Sequence, residues 1–140
     1  MTFSELSNQL LIALSKSKEV YDFDKISFEI ANTIIKESNS NRLTTIFGNG
    51  GSAADSQHWA TELTCSYRRT NRIAYKAKAL TTDTSVITAW SNDKDFKGIF
   101  SRQIIALGSL NGLSIGLSTS GKSKNVIEGL DTALNNHSKT

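Results

Sequence analysis

His58 and Glu62 stand four residues apart in Gly51-Ser-Ala-Ala-Asp-Ser-Gln-His-Trp-Ala-Thr-Glu62, and Ala53 to Leu63 reads as a helix. On a helix that spacing places an imidazole and a carboxylate on one face, one turn apart. Such a pair can share a metal ion or work as acid and base. For an isolated pair, an exposed contact on a helix surface is the plainer reading. Two loops change the weighting. Gly48-Asn-Gly-Gly-Ser52 lies just ahead of the pair, and Ser118-Thr-Ser-Gly-Lys-Ser123 lies further along the chain. Small residues let backbone approach a ligand closely, and hydroxyls add hydrogen-bond donors. Four hydroxyl residues and a lysine among the six positions of the second loop suit a phosphate ester. The first loop lacks the last glycine of the dinucleotide fingerprint GxGxxG; the second, taken from Ser118, reads as something other than the nucleotide pattern GxxxxGK[ST]. The rival reading is two ordinary strand-to-helix turns with their caps. Asn92-Asp93 suits hydrogen bonding to a polyol, or simply marks a turn.

These residues need elements to hold them. Leu43–Phe47 is a short β-prone run ahead of the first loop, a second strand is expected around Tyr75–Leu80, and Leu113–Leu117 is a third that delivers the second loop. Val86–Trp90 starts a helical turn that Ser91-Asn92-Asp93 is expected to break. Phe96–Leu107 continues as a helix patterned by Phe96, Ile99, Phe100, Ile104 and Leu107. Gly108–Gly112 is expected to turn, and Ser123 leads into a helix reaching about Leu134. A polar tail, Asn135–Thr140, follows where a fourth strand is expected. Upstream, Phe3, Leu6, Leu10, Leu11 and Leu14 form one stripe on a helix, with Thr2 and Glu5 placed for a capping box. A second helix begins after Asp22 or Asp24, and the polar run Glu37–Arg42 ends it. Strands alternating with helices predict βαβ units and a parallel α/β sheet, with ligands gathering beyond the carboxyl ends of the strands.

The chain has 140 residues, of which 38% are apolar, enough for one domain with a core. It has no apolar run long enough for a membrane span and no secretory leader pattern, so no membrane partner is expected. The lone cysteine, Cys65, cannot form an internal disulfide, which fits a reducing compartment and a cytoplasmic location. The net charge of +3 is scattered along the chain, which predicts no nucleic-acid partner but suits a small anion. Proline is absent, so glycine and Asn/Asp/Ser/Thr caps must set the element boundaries. Trp59, Trp90, Phe96 and Phe100 read as core or interface, Cys65 as a small packed side chain, and His137 as solvated.

Gly48-Asn-Gly-Gly-Ser-Ala-Ala-Asp55, Gln57-His58, Glu62-Leu-Thr64, Thr81-Thr-Asp-Thr84, Asn92-Asp93, Phe100-Ser-Arg102 and Ser118-Thr-Ser-Gly-Lys-Ser-Lys-Asn-Val-Ile127 occur in this order along the chain. Together they resemble the phosphoheptose isomerases, members of the sugar-isomerase (SIS) domain group. The resemblance implies a flavodoxin-like three-layer α/β/α SIS domain over residues 43–140, preceded by an N-terminal helical hairpin over residues 1–42 that packs or oligomerises. It also implies a homotetramer and zinc. The implied reaction converts sedoheptulose 7-phosphate to glycero-manno-heptose 7-phosphate, a step towards nucleotide-activated heptoses for surface glycans. Carried over by position, Ser118, Thr119, Ser120 and Ser123 would hold the phosphate. Asn49, Gly50, Gly51, Ser52, Asn92 and Asp93 would contact the sugar. His58 and Glu62 would be zinc ligands, with Glu62 also the catalytic proton-transferring carboxylate.

Two departures from the family pattern stand out. Cys65-Ser66 replaces the usual Gly-Arg after Glu-Leu-Thr, with Arg68 and Arg69 as the nearest candidates to compensate. The family also continues with further strands and an Arg-Ile-Gln-Glu-x-His motif, whose glutamine and histidine supply two further zinc ligands. These 140 residues are therefore expected to hold an incomplete sheet and half a metal site. A second reading is a non-catalytic SIS scaffold, or a sugar-phosphate-binding protein, of the type that associates with the replication initiator; a pure scaffold has no use for His58 and Glu62.

Overall fold

The computed structural model describes residues 1–69, 71–107 and 111–140. The chain forms two compact units, residues 1–35 and 36–140. In the first, α1 (Phe3–Val20) starts with the expected capping box: Thr2 Oγ1 accepts from Glu5 N–H, and Glu5 Oε2 accepts from Thr2 N–H. Asp22 caps α2 (Phe23–Asn39) by accepting from Lys25 N–H at 3.0 Å. No residue of α1 is buried, and Leu10, Leu11 and Leu14 stay exposed along its apolar stripe.

The second unit carries the sheet. Its strands are β1 (Thr44–Gly48), β2 (Ala77–Ala79) and β3 (Leu113–Leu117), all parallel, in the order β2-β1-β3. β1 is central and wholly buried, and side-chain alternation sends its residues to opposite layers. Ile46 joins Ala60 and Ala79 under α3 (Gly51–Thr64), with Trp59, Leu63, Ile115 and Leu117 packed around them. Phe47 faces the other way, into a cluster with Leu80, Ile99, Phe100, Ile104, Val126 and Ala133. That second layer is built by α5 (Ile99–Leu107) and α6 (Lys124–Asn135). Helices thus cover both faces of a parallel sheet, the three-layer α/β/α arrangement expected.

Three local readings are corrected. Ser91-Asn92-Asp93 does not break its helix: α4 runs Thr84–Asp93, with Ser91 Oγ donating to Ile87 O and the Lys94 N–H closing on Trp90 O. The next helix opens with a 3₁₀ turn, Phe96–Gly98, ahead of α5, because Asp95 caps Gly98 N–H at 2.8 Å. Phe96 itself is exposed, whereas Trp59 and Trp90 pack on the two cores and Phe100 is buried. In the tail after Asn135, His137 is exposed as expected, while its neighbours are tied to the sheet. Ser138 is buried and Lys139 bridges in parallel to Leu113, donating to Gly112 O at 2.9 Å and accepting from Ser114 N–H at 2.8 Å. Of the turn expected over Gly108–Gly112, the first three residues lie outside the described ones.

A buried carboxylate secures that bridge. Glu37 is fully buried; its Oε1 lies 2.7 Å from Lys139 Nζ and its Oε2 lies 2.8 Å from Arg42 Nη1. The Lys139 ammonium, helped by Arg42, holds the Glu37 carboxyl below the usual glutamate range despite the opposing cost of burial. A group depressed on folding stabilises above its unfolded pKa, and the gain is lost as pH falls through the folded value. Urea midpoints should therefore fall from neutral pH towards pH ~3, and Glu37→Gln should flatten that slope. An unchanged slope in the variant would exclude this ion cluster as its source.

Candidate active site

Both loops emerge at the carboxyl edge of the sheet, from neighbouring strands. The β1–β3 register pairs Gly48 with Leu117, so Asn49 and Ser118 begin their loops side by side. The chain runs from β1 outward to β2 and then crosses to β3 on the other side. The crevice between β1 and β3 is thus the topological switch point, where open α/β sheets bind ligands.

Each loop owes its shape to a glycine. Gly50 caps α3 at φ 56°, ψ −122°, a region essentially reserved for glycine, and its carbonyl accepts from the Ala53 and Ala54 N–H groups. Gly121 sits at φ 64° in the hydroxyl loop. A Gly50→Ala chain should lose about 2 kcal/mol in urea unfolding although no atom crowds the new methyl, because the cost is backbone strain. A loss under about 0.5 kcal/mol would mean the loop simply readjusts. Beyond Gly50, the free N–H groups at the start of α3 point their partial positive charge towards the crevice mouth.

The hydroxyl loop is partly self-satisfied. Ser118 Oγ and Ser123 Oγ share a hydrogen bond at 3.2 Å, and Ser120 Oγ accepts from Lys122 N–H at 3.2 Å. Thr119 and Ser120, between Ser118 and Ser123 in the sequence, are both exposed. Read from Gly116, the residues up to Ser123 do spell G-x-x-x-x-G-K-S, so the sequence carries the letters of a P-loop after all. The structure gives its first glycine a different use. Gly116 lies inside β3, where a Cβ would come within 2.8 Å of Val126 Cγ1, so it lets α6 pack closely on the sheet. The neighbouring strand β1 ends at Gly48 and runs into Asn49, without the acid that holds Mg²⁺ beside a nucleotide P-loop. What remains is a hydroxyl-rich loop at the start of α6.

His58 and Glu62 lie on the side of α3 turned away from Ala60 and Leu63, which face the sheet. His58 Nε2 is 3.9 Å from Glu62 Oε1, with side-chain exposures of 78% and 32%. Two donors of one tetrahedral zinc ion lie about 3.3 Å apart, so the pair fits two of its four positions with little adjustment. Among the described residues no third His, Cys, Asp or Glu joins them. Asn92 and Asp93 lie at the carboxyl end of α4, exposed, with Asn92 Nδ2 donating to Asp93 Oδ1 at 2.9 Å. Ser52 uses its carbonyl to accept from Ser56 Oγ at 2.6 Å, fixing the first turn of α3.

Three further residues shape the site: Gln57 and Asn125 lie in the family motifs but had no role assigned, and Arg72 lies in none. Gln57 donates to Thr81 Oγ1 at 3.2 Å, tying α3 to the segment after β2. Asn125 pairs with Asn49. Arg72 donates to Glu62 O at 2.7 Å and to Cys65 O at 3.2 Å while its guanidinium lies 4.5 Å over the Tyr75 ring, so it caps the turn that carries Glu62. Arg68, by contrast, stacks on Tyr67 at the surface. Cys65 is exposed at the end of α3 and is not the packed side chain expected, because the helix stops there with its sheet-facing side already filled by Leu63.

This architecture and its glycine- and hydroxyl-rich crevice define a class. The chain belongs to the SIS-domain family, whose model matches residues 12–140. Within that family, the chain is similar to phosphoheptose isomerases. One from Paramagnetospirillum magneticum is 58% identical over 87 residues, 62% of this chain and 45% of that protein. One from Chlorobaculum parvum is 43% identical over 135 residues, 94% of this chain and 64% of that protein. Among solved structures, phosphoheptose isomerase from Neisseria gonorrhoeae superposes with a TM-score of 0.78 at 33% identity, over 96% of this chain and 70% of that one. The enzyme from Francisella tularensis gives 0.84 at 26% identity, over 99% and 73%. The chain spans about half the length of several curated relatives it matches, 45% and 47% for two of them.

Proposed function

We propose that this chain is the sugar-phosphate-binding part of a phosphoheptose isomerase, acting on sedoheptulose 7-phosphate to give glycero-manno-heptose 7-phosphate on the way to activated heptoses. The observation that carries this reading is the side-by-side placement of the glycine loop and the hydroxyl loop at the switch point, in a chain whose relatives bear that name. Ser118, Thr119, Ser120 and Ser123 grip the phosphate. The backbone of Asn49–Ser52, with Asn92 and Asp93, meets the sugar hydroxyls. Anchoring the phosphate fixes the reacting carbons relative to the protein.

Moving a carbonyl from C2 to C1 needs a base for the proton on C1 and a place to return that proton on C2. Glu62 is that carboxylate, with His58 Nε2 3.9 Å from its Oε1 on the same face of α3. His58 and Glu62 would hold zinc as two of its ligands. Bound there, the metal supplies Lewis-acid stabilisation of developing oxyanion charge. The exposed apolar stripe of α1 supports subunit packing through residues 1–42 in a homotetramer, which also offers a second copy to cover the outer side of α3. No helix among the described residues is long and apolar enough to cross a membrane, and a cytoplasmic location accords with the reducing chemistry that a lone, exposed cysteine implies.

The test is direct: the purified chain is given sedoheptulose 7-phosphate in D₂O, and NMR follows the aldose product, deuterium entry at the exchanging carbons, and ligand-induced shifts in the two loops. Conversion, or specific binding in those loops, supports the reading. The absence of both conversion and binding would overturn it.

A further inference from the structure

The two loops of the crevice come from segments more than sixty residues apart, yet among the described residues one pair of side chains spans them. Asn49 Nδ2 donates to Asn125 Oδ1 at 2.8 Å, and Asn125 Nδ2 donates back to Asn49 Oδ1 at 2.8 Å. Asn125, in the first turn of α6, is only 3% exposed, while Asn49 is half-buried. The orientation of the pair follows from the backbone. Val126 N–H donates to Asn125 Oδ1 at 3.0 Å, which identifies that atom as the oxygen and leaves the Asn125 NH₂ facing Asn49. Only a carboxamide both donates and accepts at this spacing; aspartate at either position would set two acceptors face to face.

We propose that Asn125 is a positioning residue that locks the β1–α3 loop to the β3–α6 loop, so that a ligand spanning both meets them at a fixed separation; this rests on the sugar-phosphate reading above. Asn49 gives one amide N–H and one lone pair to the lock. Its side chain is therefore mainly a tie, and the backbone N–H groups from Gly50 onward remain for the sugar. Each loop has its own support without the lock: Gly50 accepts from two α3 amides, and Val126 N–H also donates to Ser123 O at 3.1 Å. Cutting the tie thus releases the spacing between the loops and leaves each loop formed. Preorganisation of this kind matters only for a ligand that touches both sides.

Asn125→Ala separates this role from a general structural one. A sugar phosphate reaches both loops, whereas inorganic phosphate needs only the hydroxyl loop. In calorimetric titrations of the full chain, Asn125→Ala should weaken sedoheptulose 7-phosphate about tenfold while inorganic phosphate stays within about twofold, the scale of one or two lost neutral hydrogen bonds. Equal losses for both ligands, or no loss for either, would overturn the proposal. If Asn125→Ala does not fold, Asn125→Ser is titrated in its place, keeping a small polar residue in the first turn of α6. If the unsubstituted chain does not bind sedoheptulose 7-phosphate, the functional reading fails, and the lock is judged on its own by NMR. Slow exchange of the Asn49 side-chain amide protons, lost in the variant, supports the lock. Exchange as fast as that of an exposed asparagine in the unsubstituted chain overturns it.

Discussion

A Glu62→Gln chain should exchange deuterium into sedoheptulose 7-phosphate about a thousandfold more slowly than the unsubstituted chain, since one general base is worth about 10² to 10⁴ in rate. Glutamine keeps the size of the side chain and its reach towards His58, 3.9 Å away. What it lacks is a carboxylate, both the base that removes a proton from carbon and the charged donor proposed for zinc. The carbonyl of residue 62 stays held by Arg72, so the end of α3 does not unravel. The phosphate grip lies on another loop, so binding of the substrate should change by no more than about twofold. The measurement is the rate of deuterium entry by NMR beside the dissociation constant from the same titration. A variant retaining more than about a tenth of the rate would remove Glu62 from the proton-transfer role.

Phe47→Ala should cost the second unit about 4 kcal/mol, lowering its melting temperature by roughly 15 °C. Phe47 is wholly buried in the central strand, its ring 5.0 Å from that of Phe100. α6 passes so close to it that a Cβ on Gly129 would come within 2.8 Å of Phe47 Cε2. Truncation leaves a cavity between two packed layers that cannot simply collapse. Because the hydroxyl loop leads directly into α6, the same change should loosen the phosphate end of the crevice. Ile127→Ala, on the exposed side of α6, is the matched control and should move the melting temperature by only a few degrees. Comparable losses from both substitutions would mean that the packing of α6 over Phe47 is not what stabilises the unit.

Much of this protein is legible residue by residue. The Thr2–Glu5 capping box, the β3 limits at Leu113 and Leu117, and the two glycine- and hydroxyl-rich loops all appear where the amino-acid types place them. Each depends on contacts within a few residues, and such contacts are encoded by neighbours. The readings that needed correction turn on bonds that the residue types alone do not announce, some local and some distant. Ser91-Asn92-Asp93 looks like a helix end, but Ser91 bonds back to Ile87 O and the helix continues. Lys139 lies in the polar tail, where no local signal places it, and a buried glutamate from the end of α2 draws it onto the edge of β3. The P-loop letters from Gly116 to Ser123 spell one site, and the packing of α6 against Gly116 builds another.

By itself the order of amino acids determined the alternation of helices and strands, the loop chemistry, and the i,i+4 pair on α3. The strand order decided the rest. Only because β3 returns to the far side of β1 do Gly48 and Leu117 become partners and Asn49 meet Asn125 across 76 positions of sequence. No periodicity carries that information: closing so long a loop is compensated by burying Ile46 and Phe47 on opposite faces of one sheet, a global gain that no short stretch of residues can express alone.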